Sequence, residues 1–137
     1  MIIYKIKDSK IVGISRKDEN YQIKENEYQT NTWYQKPFFN GTEVIESITQ
    51  AEIDEQFSQA KLNKIAELKS NADSKFKETS WYYERENRLA KGNRPHKNVP
   101  QNIIDKDMAI YDLVDLKEIE INALTTIEEV LNYNTNL

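Results

Sequence analysis

The 137-residue chain contains no cysteine and a single histidine, His96. Without thiols it can form neither disulfides nor thiolate metal sites, and it has no cysteine nucleophile. A serine triad would have to use His96, which follows Pro95 in a polar segment, and no G-x-S-x-G turn occurs elsewhere. We therefore expect no catalytic site, no metal site and no cofactor.

Glycine and long apolar runs are also scarce. The three glycines are Gly13, Gly41 and Gly92, and their spacing builds neither G-x-x-x-x-G-K nor G-x-G-x-x-G phosphate loops. No segment approaches the roughly 18 apolar residues of a membrane span, and the N-terminus lacks the apolar core of a signal peptide. The sequence predicts a protein made in the cytoplasm, with no membrane partner.

Neither sign of charge dominates the chain. Nineteen basic and twenty-three acidic residues give a net charge of −4, and the signs alternate along the chain. The densest basic run, residues 85–97, crosses a predicted helix end, where cations favour the negative end of the helix dipole. Binding to nucleic acid requires a concentrated basic face, so we expect none. Asp105 and Asp107 are two residues apart and point to different sides, so both are interpreted as solvated.

The composition also predicts a thin core. Hydrophobic residues make up 38% of the chain and charged residues 31%, so much of the surface is expected to face water or a partner. Small domains with thin cores often gain stability from neighbours. We therefore expect a homo- or hetero-oligomer.

The first part of the chain predicts a small antiparallel β-subdomain over residues 1–47. Ile2, Tyr4 and Ile6 alternate with less apolar neighbours in a run rich in β-formers, as in a half-buried strand. Asn40-Gly41 is a strong tight-turn pair. The predicted strands cover residues 2–7, 11–15, 21–23 and 43–45.

Residues 48–137 predict a helical region that begins with a long helix. Thr49 and Glu52 have the spacing of a capping box, in which each side chain accepts the other's backbone N–H. Apolar residues then recur at helical intervals as far as Phe76, and no glycine or proline interrupts residues 50–77.

An antiparallel helical hairpin is predicted after the long helix. Its signals are a cap at Thr79-Ser80, a left-handed terminator at Gly92, a helix start at Pro100, a second capping box at residues 125–128 and fraying from residue 132. The predicted buried positions of the first hairpin helix are Trp81, Tyr82 and Leu89. The fold class is therefore α+β.

Amphipathic aromatic residues are more numerous than a small core requires. Tyrosine and tryptophan are favoured at interfaces, and three in a row at residues 81–83 cannot all face one side of a helix. The aromatic segment at residues 33–39 has two interpretations, closure of the β-core or a surface patch for a partner or a sugar. The candidate partner-binding residues are Trp33, Tyr34, Phe38, Trp81, Tyr82 and Tyr83.

Short motifs occur in both halves of the chain. In the first half they are residues 1–6 (MIIYKI), 10–13 (KIVG), 25–28 (ENEY), 36–38 (KPF) and 40–41 (NG). In the second half they are residues 80–84 (SWYYE), the loop containing Gly92, and residues 100–104 (PQNII) and 125–128 (TTIE). The first set resembles the N-terminal region of small tail-associated proteins of bacteriophages. The second resembles the helical hairpin at the C-terminus of phage tail-fibre, baseplate and tail-assembly proteins.

This resemblance implies a non-enzymatic virion structural or attachment protein of the tail or tail-fibre region, made in the host cytoplasm. Its implied partners are other phage tail or tail-fibre proteins, onto which it docks. The alternative is a cytoplasmic tail-fibre assembly chaperone that is absent from the mature particle. A third hypothesis, from another class, is an enzyme that uses a basic cluster near two carboxylates, namely Arg85, Arg88, Arg94 and His96 with Glu84 and Glu86.

Overall fold

The computed structural model describes all 137 residues, in five strands and four helices. The strands are β1 (Ile2–Lys7), β2 (Lys10–Arg16), β3 (Glu27–Thr30), β4 (Pro37–Phe39) and β5 (Val44–Glu46). The helices are α1 (Gln50–Lys77), α2 (Ser80–Lys91), α3 (Gln101–Ala123) and α4 (Ile127–Leu131). The predicted α+β class, with a small antiparallel N-terminal sheet followed by long helices, is confirmed. The chain divides into two compact units, Met1–Asp54 and Glu55–Leu137.

The first unit contains two small antiparallel sheets. One has the strand order β2-β1-β3, and the other pairs β4 with β5. Asp8 and Ser9, at φ 52° and 60°, form the two-residue turn between β1 and β2. Left-handed backbone at both positions of such a turn matches the right-handed twist of the strands it joins.

The core of the first unit lies around Tyr4. Its side chain is fully buried with Ile2 and Val44, and half-buried neighbours including Tyr34 pack against this cluster. The Tyr4 hydroxyl oxygen accepts the backbone N–H of Tyr34 at 3.0 Å. The polar end of a buried ring is thus satisfied, which avoids the cost of an unpaired polar group.

The predicted strand at residues 21–23 is wrong, because the third strand is β3. The β3 register places Tyr28 opposite Tyr4, so an aromatic ring joins the buried face of the sheet. Residues 21–23 lie in a turn-rich segment instead, where the Tyr21 hydroxyl donates to Glu27 at 3.1 Å. Pairing with β1 therefore makes a strand of residues 27–30 and not of residues 21–23.

The core of the second unit is an apolar seam between α1 and α3. Leu68 and Ala72 of α1 pack against Val114 and Ile121 of α3, and all four are buried. Half-buried residues complete this cluster, namely Ile65, Phe76, Ile110, Tyr133 and Leu137. We call this cluster the α1–α3 seam.

Two rim contacts show that α1 and α3 run antiparallel. Lys61 Nζ donates to the backbone oxygen of Asn122 at 2.7 Å, and Lys69 Nζ lies 3.4 Å from the carboxylate of Glu118. Residue numbers rise along α1 while they fall along α3 at these contacts. The pairing brings the seam residues of the two helices into register.

Capping boxes begin α1 and α4. Glu52 N–H donates to Thr49 Oγ1 at 3.2 Å and Thr49 N–H donates to Glu52 at 2.8 Å, as predicted. The box predicted at residues 125–128 is displaced by one position, because Thr126 and Glu129 form it. Consecutive threonines followed by consecutive glutamates allow two registers with the same spacing.

The left-handed residue after α2 is also displaced by one position. Gly92 has φ −86°, whereas Asn93 has φ 50°. The Gly92 N–H still donates to the Arg88 carbonyl oxygen at 3.0 Å, so the chain leaves the helix only afterwards. Asparagine tolerates the left-handed region better than most residues.

The C-terminal segment is ordered against α1, so the predicted fraying is wrong. Thr135 is 3% exposed. Its hydroxyl donates to Glu67 Oε1 at 2.6 Å and accepts from Asn71 Nδ2 at 3.1 Å. Termini remain mobile unless they are tied down, and these hydrogen bonds with the packing of Leu137 against the α1–α3 seam do so.

We expect Leu68→Ala to destabilise the helical unit by about 2–5 kcal/mol, since it leaves a cavity in the α1–α3 seam. Leu62→Ala is the matched control on the same helix, because Leu62 is 60% exposed and should cost less than about 0.5 kcal/mol. Urea unfolding followed by far-ultraviolet circular dichroism measures both. Equal losses would show that the seam is not the core.

We expect Thr135→Val, which keeps the side-chain shape, to destabilise the protein by about 1–3 kcal/mol, because Glu67 and Asn71 each lose a hydrogen bond to the Thr135 hydroxyl. The Thr135 hydroxyl, followed by Lys64, holds the pKa of Glu67 below its usual value. This stabilisation is present above the ordinary carboxyl pKa and is lost as pH falls through the lowered one.

The loss caused by Thr135→Val should therefore shrink in acid, which unfolding curves at several pH values would measure. Thr42→Val is the control for the same change at an exposed position, where the hydroxyl makes no hydrogen bond. A loss that is independent of pH would contradict the contribution of Glu67.

Candidate functional site

The aromatic segment of the first unit divides between core and surface. Tyr34 is half-buried, with its ring 6.0 Å from that of Tyr4. Trp33 and Phe38 are each 54% exposed. In β4 the side chains alternate, and Phe38 faces Ile45 across the β4–β5 pair on the exposed side. Closure of the β-core thus accounts for Tyr34, whereas Trp33 and Phe38 lie at the surface.

The aromatic residues of α2 are less buried than predicted. Trp81, expected inside, is 58% exposed, Tyr82 is half-buried and Tyr83 is 39% exposed. The guanidinium of Arg85 lies 4.6 Å from the Trp81 ring centroid and 5.7 Å from that of Tyr82. Trp81 therefore packs against a cation on its own helix and not inside a core. No residue of α2 is buried.

The basic cluster is divided by its local partners. Arg85, Arg88 and Arg94 line a surface cleft of about 360 Å³. His96 does not line that cleft. Its Nε2 lies 2.9 Å from the Glu86 carboxylate instead. The structure thus brings the arginines together and places the histidine apart from them.

Asp107 is the site residue that the sequence interpretation missed. It was interpreted as solvated but is 4% exposed, and Thr79 Oγ1 lies 2.9 Å and 3.0 Å from its two carboxylate oxygens. Thr79 makes no side-chain cap for α2, contrary to prediction. The missed signal is spacing, because Asp107 precedes the buried Val114 by seven residues and Ile121 by fourteen, which places all three on one face.

An open cleft of about 430 Å³ leads to this carboxylate. We call it the Asp107 cleft, and its walls are largely aromatic and aliphatic. The Phe76 and Tyr111 rings are stacked, with centroids 4.6 Å apart and an angle of 29° between planes. The other lining residues include Thr79, Tyr83, Glu84 and Met108. A buried carboxylate and several aromatic side chains thus line one concave surface.

The pKa of the Tyr83 hydroxyl is raised by this environment. Loss of solvent at its hydroxyl raises the pKa of Tyr83, and hydrogen bonding to Asp107 and the negative charge of that carboxylate raise it further. All three effects favour the neutral phenol over the phenolate. The cleft is therefore negative in character even though most of its wall is apolar.

No known protein family, characterised protein or solved structure matches the chain. None of its helices combines the length and the apolar character needed to cross a membrane. No group of three or more histidine, aspartate or glutamate side chains is arranged to hold a metal ion.

We expect Asp107→Asn to lower the pKa of Tyr83 while leaving it above the ordinary tyrosine value, because burial remains after the charge is removed. An alkaline titration of protein labelled with ¹³C at the tyrosine ring carbon, with Tyr83→Phe for assignment, measures this. Asp112→Asn, a change of an exposed acid on the same helix, should leave the titration unchanged. An unaltered pKa in Asp107→Asn would contradict the electrostatic coupling.

Proposed function

We propose that this chain is a non-enzymatic structural or attachment protein of a bacteriophage tail or tail-fibre region, which docks onto neighbouring virion subunits. The resemblance of both halves to phage tail-associated proteins supports the phage setting. The exposed aromatic side chains support docking, and they are the observation on which the proposal depends.

The exposed aromatic side chains would contribute a large binding free energy if a partner covered them. Trp33, Phe38 and Trp81 each leave more than half of their surface exposed. Covering the exposed part of one such side chain would stabilise a complex by about 2–3 kcal/mol. Tryptophan and tyrosine are also the residues most often found at the energetic centre of interfaces. A few such contacts are enough for specific binding.

The helical unit also leaves a second apolar surface uncovered. Met108, Tyr111 and Ile119 of α3 are all exposed and lie at helical spacings, and Tyr111 stacks on Phe76 at the border of the α1–α3 seam. An interaction surface for a neighbouring subunit accounts for this second stripe. A core position does not, since all three side chains stay exposed although the α1–α3 seam is formed.

The assembly chaperone is the second candidate. The same apolar side chains would hold a fibre chain during assembly and release it afterwards, so the finished particle would lack the chaperone. The two functions require the same surface and differ in where the protein is found.

We expect quantitative mass spectrometry of purified phage particles to detect the chain at a fixed ratio to a tail subunit. Trp81→Ala should reduce its incorporation at least several-fold, because truncating an interface tryptophan typically costs 2 kcal/mol or more. Leu62→Ala, an exposed change on α1, should leave incorporation unchanged.

The possible outcomes separate the candidates. Stable presence in particles supports the structural role. Binding to a fibre protein during infection, combined with absence from particles, supports the chaperone. Failure of the protein to associate with any tail or fibre subunit in either location would overturn the docking function.

A further inference from the structure

We propose that the Asp107 cleft binds the guanidinium group of an arginine side chain from a partner protein. The identity of that partner as a tail or fibre subunit rests on the proposed function, whereas the chemistry of the cleft does not. Arginine is indicated by three features of the cleft, namely its uncompensated charge, its aromatic walls and its size.

The negative charge at the base of the cleft has no cationic partner. Asp107 takes part in no ion pair, and no basic side chain lines the cleft. Thr79 and Tyr83 each supply one hydroxyl hydrogen, whereas a carboxylate has about four lone-pair sites. At the edge of the cleft, Glu84 is already paired with Arg88 at 3.4 Å. A buried carboxylate is costly without a cation or further donors, so the free acceptor sites favour a donor-rich cation.

The walls of the cleft favour a planar cation. Phe76 and Tyr111 form a stacked pair beside the carboxylate, and Tyr83 and Met108 also line the cleft. Ring faces attract cations, and a guanidinium can also stack flat against them. Its fork of N–H groups matches both oxygens of a carboxylate at the same time. Arginine alone among the side chains combines these two contacts.

The size of the cleft favours a single side chain. Its volume of about 430 Å³ lies in the lower half of the range for small-ligand pockets, about 300–1,000 Å³. A lysine ammonium would fit in size. It is more strongly hydrated and cannot stack on a ring, so its binding free energy in the cleft is less favourable. Anionic groups are disfavoured by the Asp107 charge. The cleft is therefore suited to one guanidinium inserted from the surface of a partner.

The test is an NMR titration of the whole protein with N-acetyl-arginine amide. We expect saturable shifts at the Met108 methyl and at the Tyr83 and Tyr111 rings, with a dissociation constant on the order of millimolar, as suits a contact of a few groups. N-acetyl-citrulline amide has nearly the same shape without the charge and should bind at least about tenfold more weakly. N-acetyl-lysine amide should also bind more weakly than arginine.

Variants assign the binding to the cleft. Asp107→Asn can still accept the Thr79 hydroxyl, and it should weaken arginine binding at least about tenfold. Tyr111→Leu removes a ring face but keeps an apolar wall, and it should weaken binding several-fold. Asp112→Asn is the matched carboxylate control on α3 and should bind as the unmodified protein does. Circular dichroism spectra show whether each variant is folded.

Several results would overturn the proposal. They are equal binding of arginine and citrulline, tighter binding of lysine, unchanged affinity in folded Asp107→Asn, or the absence of shifts at the cleft. The titration needs no phage particle, so its failure is distinct from failure of the docking function. Binding of arginine without incorporation into particles would leave the cleft assigned and refute the virion role alone.

Discussion

The helical unit depends on the α1–α3 seam, where Leu68 and Ala72 pack against Val114 and Ile121. So few fully buried side chains carry the unit because nearly a third of the chain is charged. Ion pairs such as Lys69–Glu118 lie at the exposed rim, and each contributes at most about 1 kcal/mol. The hydrogen bonds of Thr135 to Glu67 and Asn71 attach the C-terminal segment to α1. The rim contacts thus support an alignment that the seam determines.

Asp107 extends the seam with a polar group, and this has two consequences. Its buried contact with Thr79 is satisfied only when α3 lies at one position along the α1–α2 segment. A polar residue at a seam position can specify helix alignment at some cost in stability. The same carboxylate places a buried negative charge in a largely apolar cleft. One residue therefore links the register of the helices to the chemistry of the surface between them.

Local patterns predicted the elements that local contacts stabilise. The β1–β2 hairpin, the capping box at Thr49 and the long helix α1 all follow from neighbouring residues. Two predictions failed because a distant partner decides the outcome. Thr135 is ordered by Asn71, which lies 64 positions earlier in the chain. Asp107 is buried by its place in a seam, although an aspartate in a charged segment ordinarily indicates a solvated position.

Under the proposed docking function, the exposed aromatic residues and the Asp107 cleft serve different parts of recognition. Phe38 lies on a strand and Trp81 on a helix beside Arg85, so their backbones are already ordered before a partner arrives. Preordered apolar side chains give affinity at a small entropic cost, but they discriminate poorly among apolar partners. A buried carboxylate discriminates strongly, because a partner that covers the cleft without a matching donor leaves that charge unpaired. Under the proposed function, the apolar surface thus supplies most of the binding energy, and the cleft decides which partner can use it.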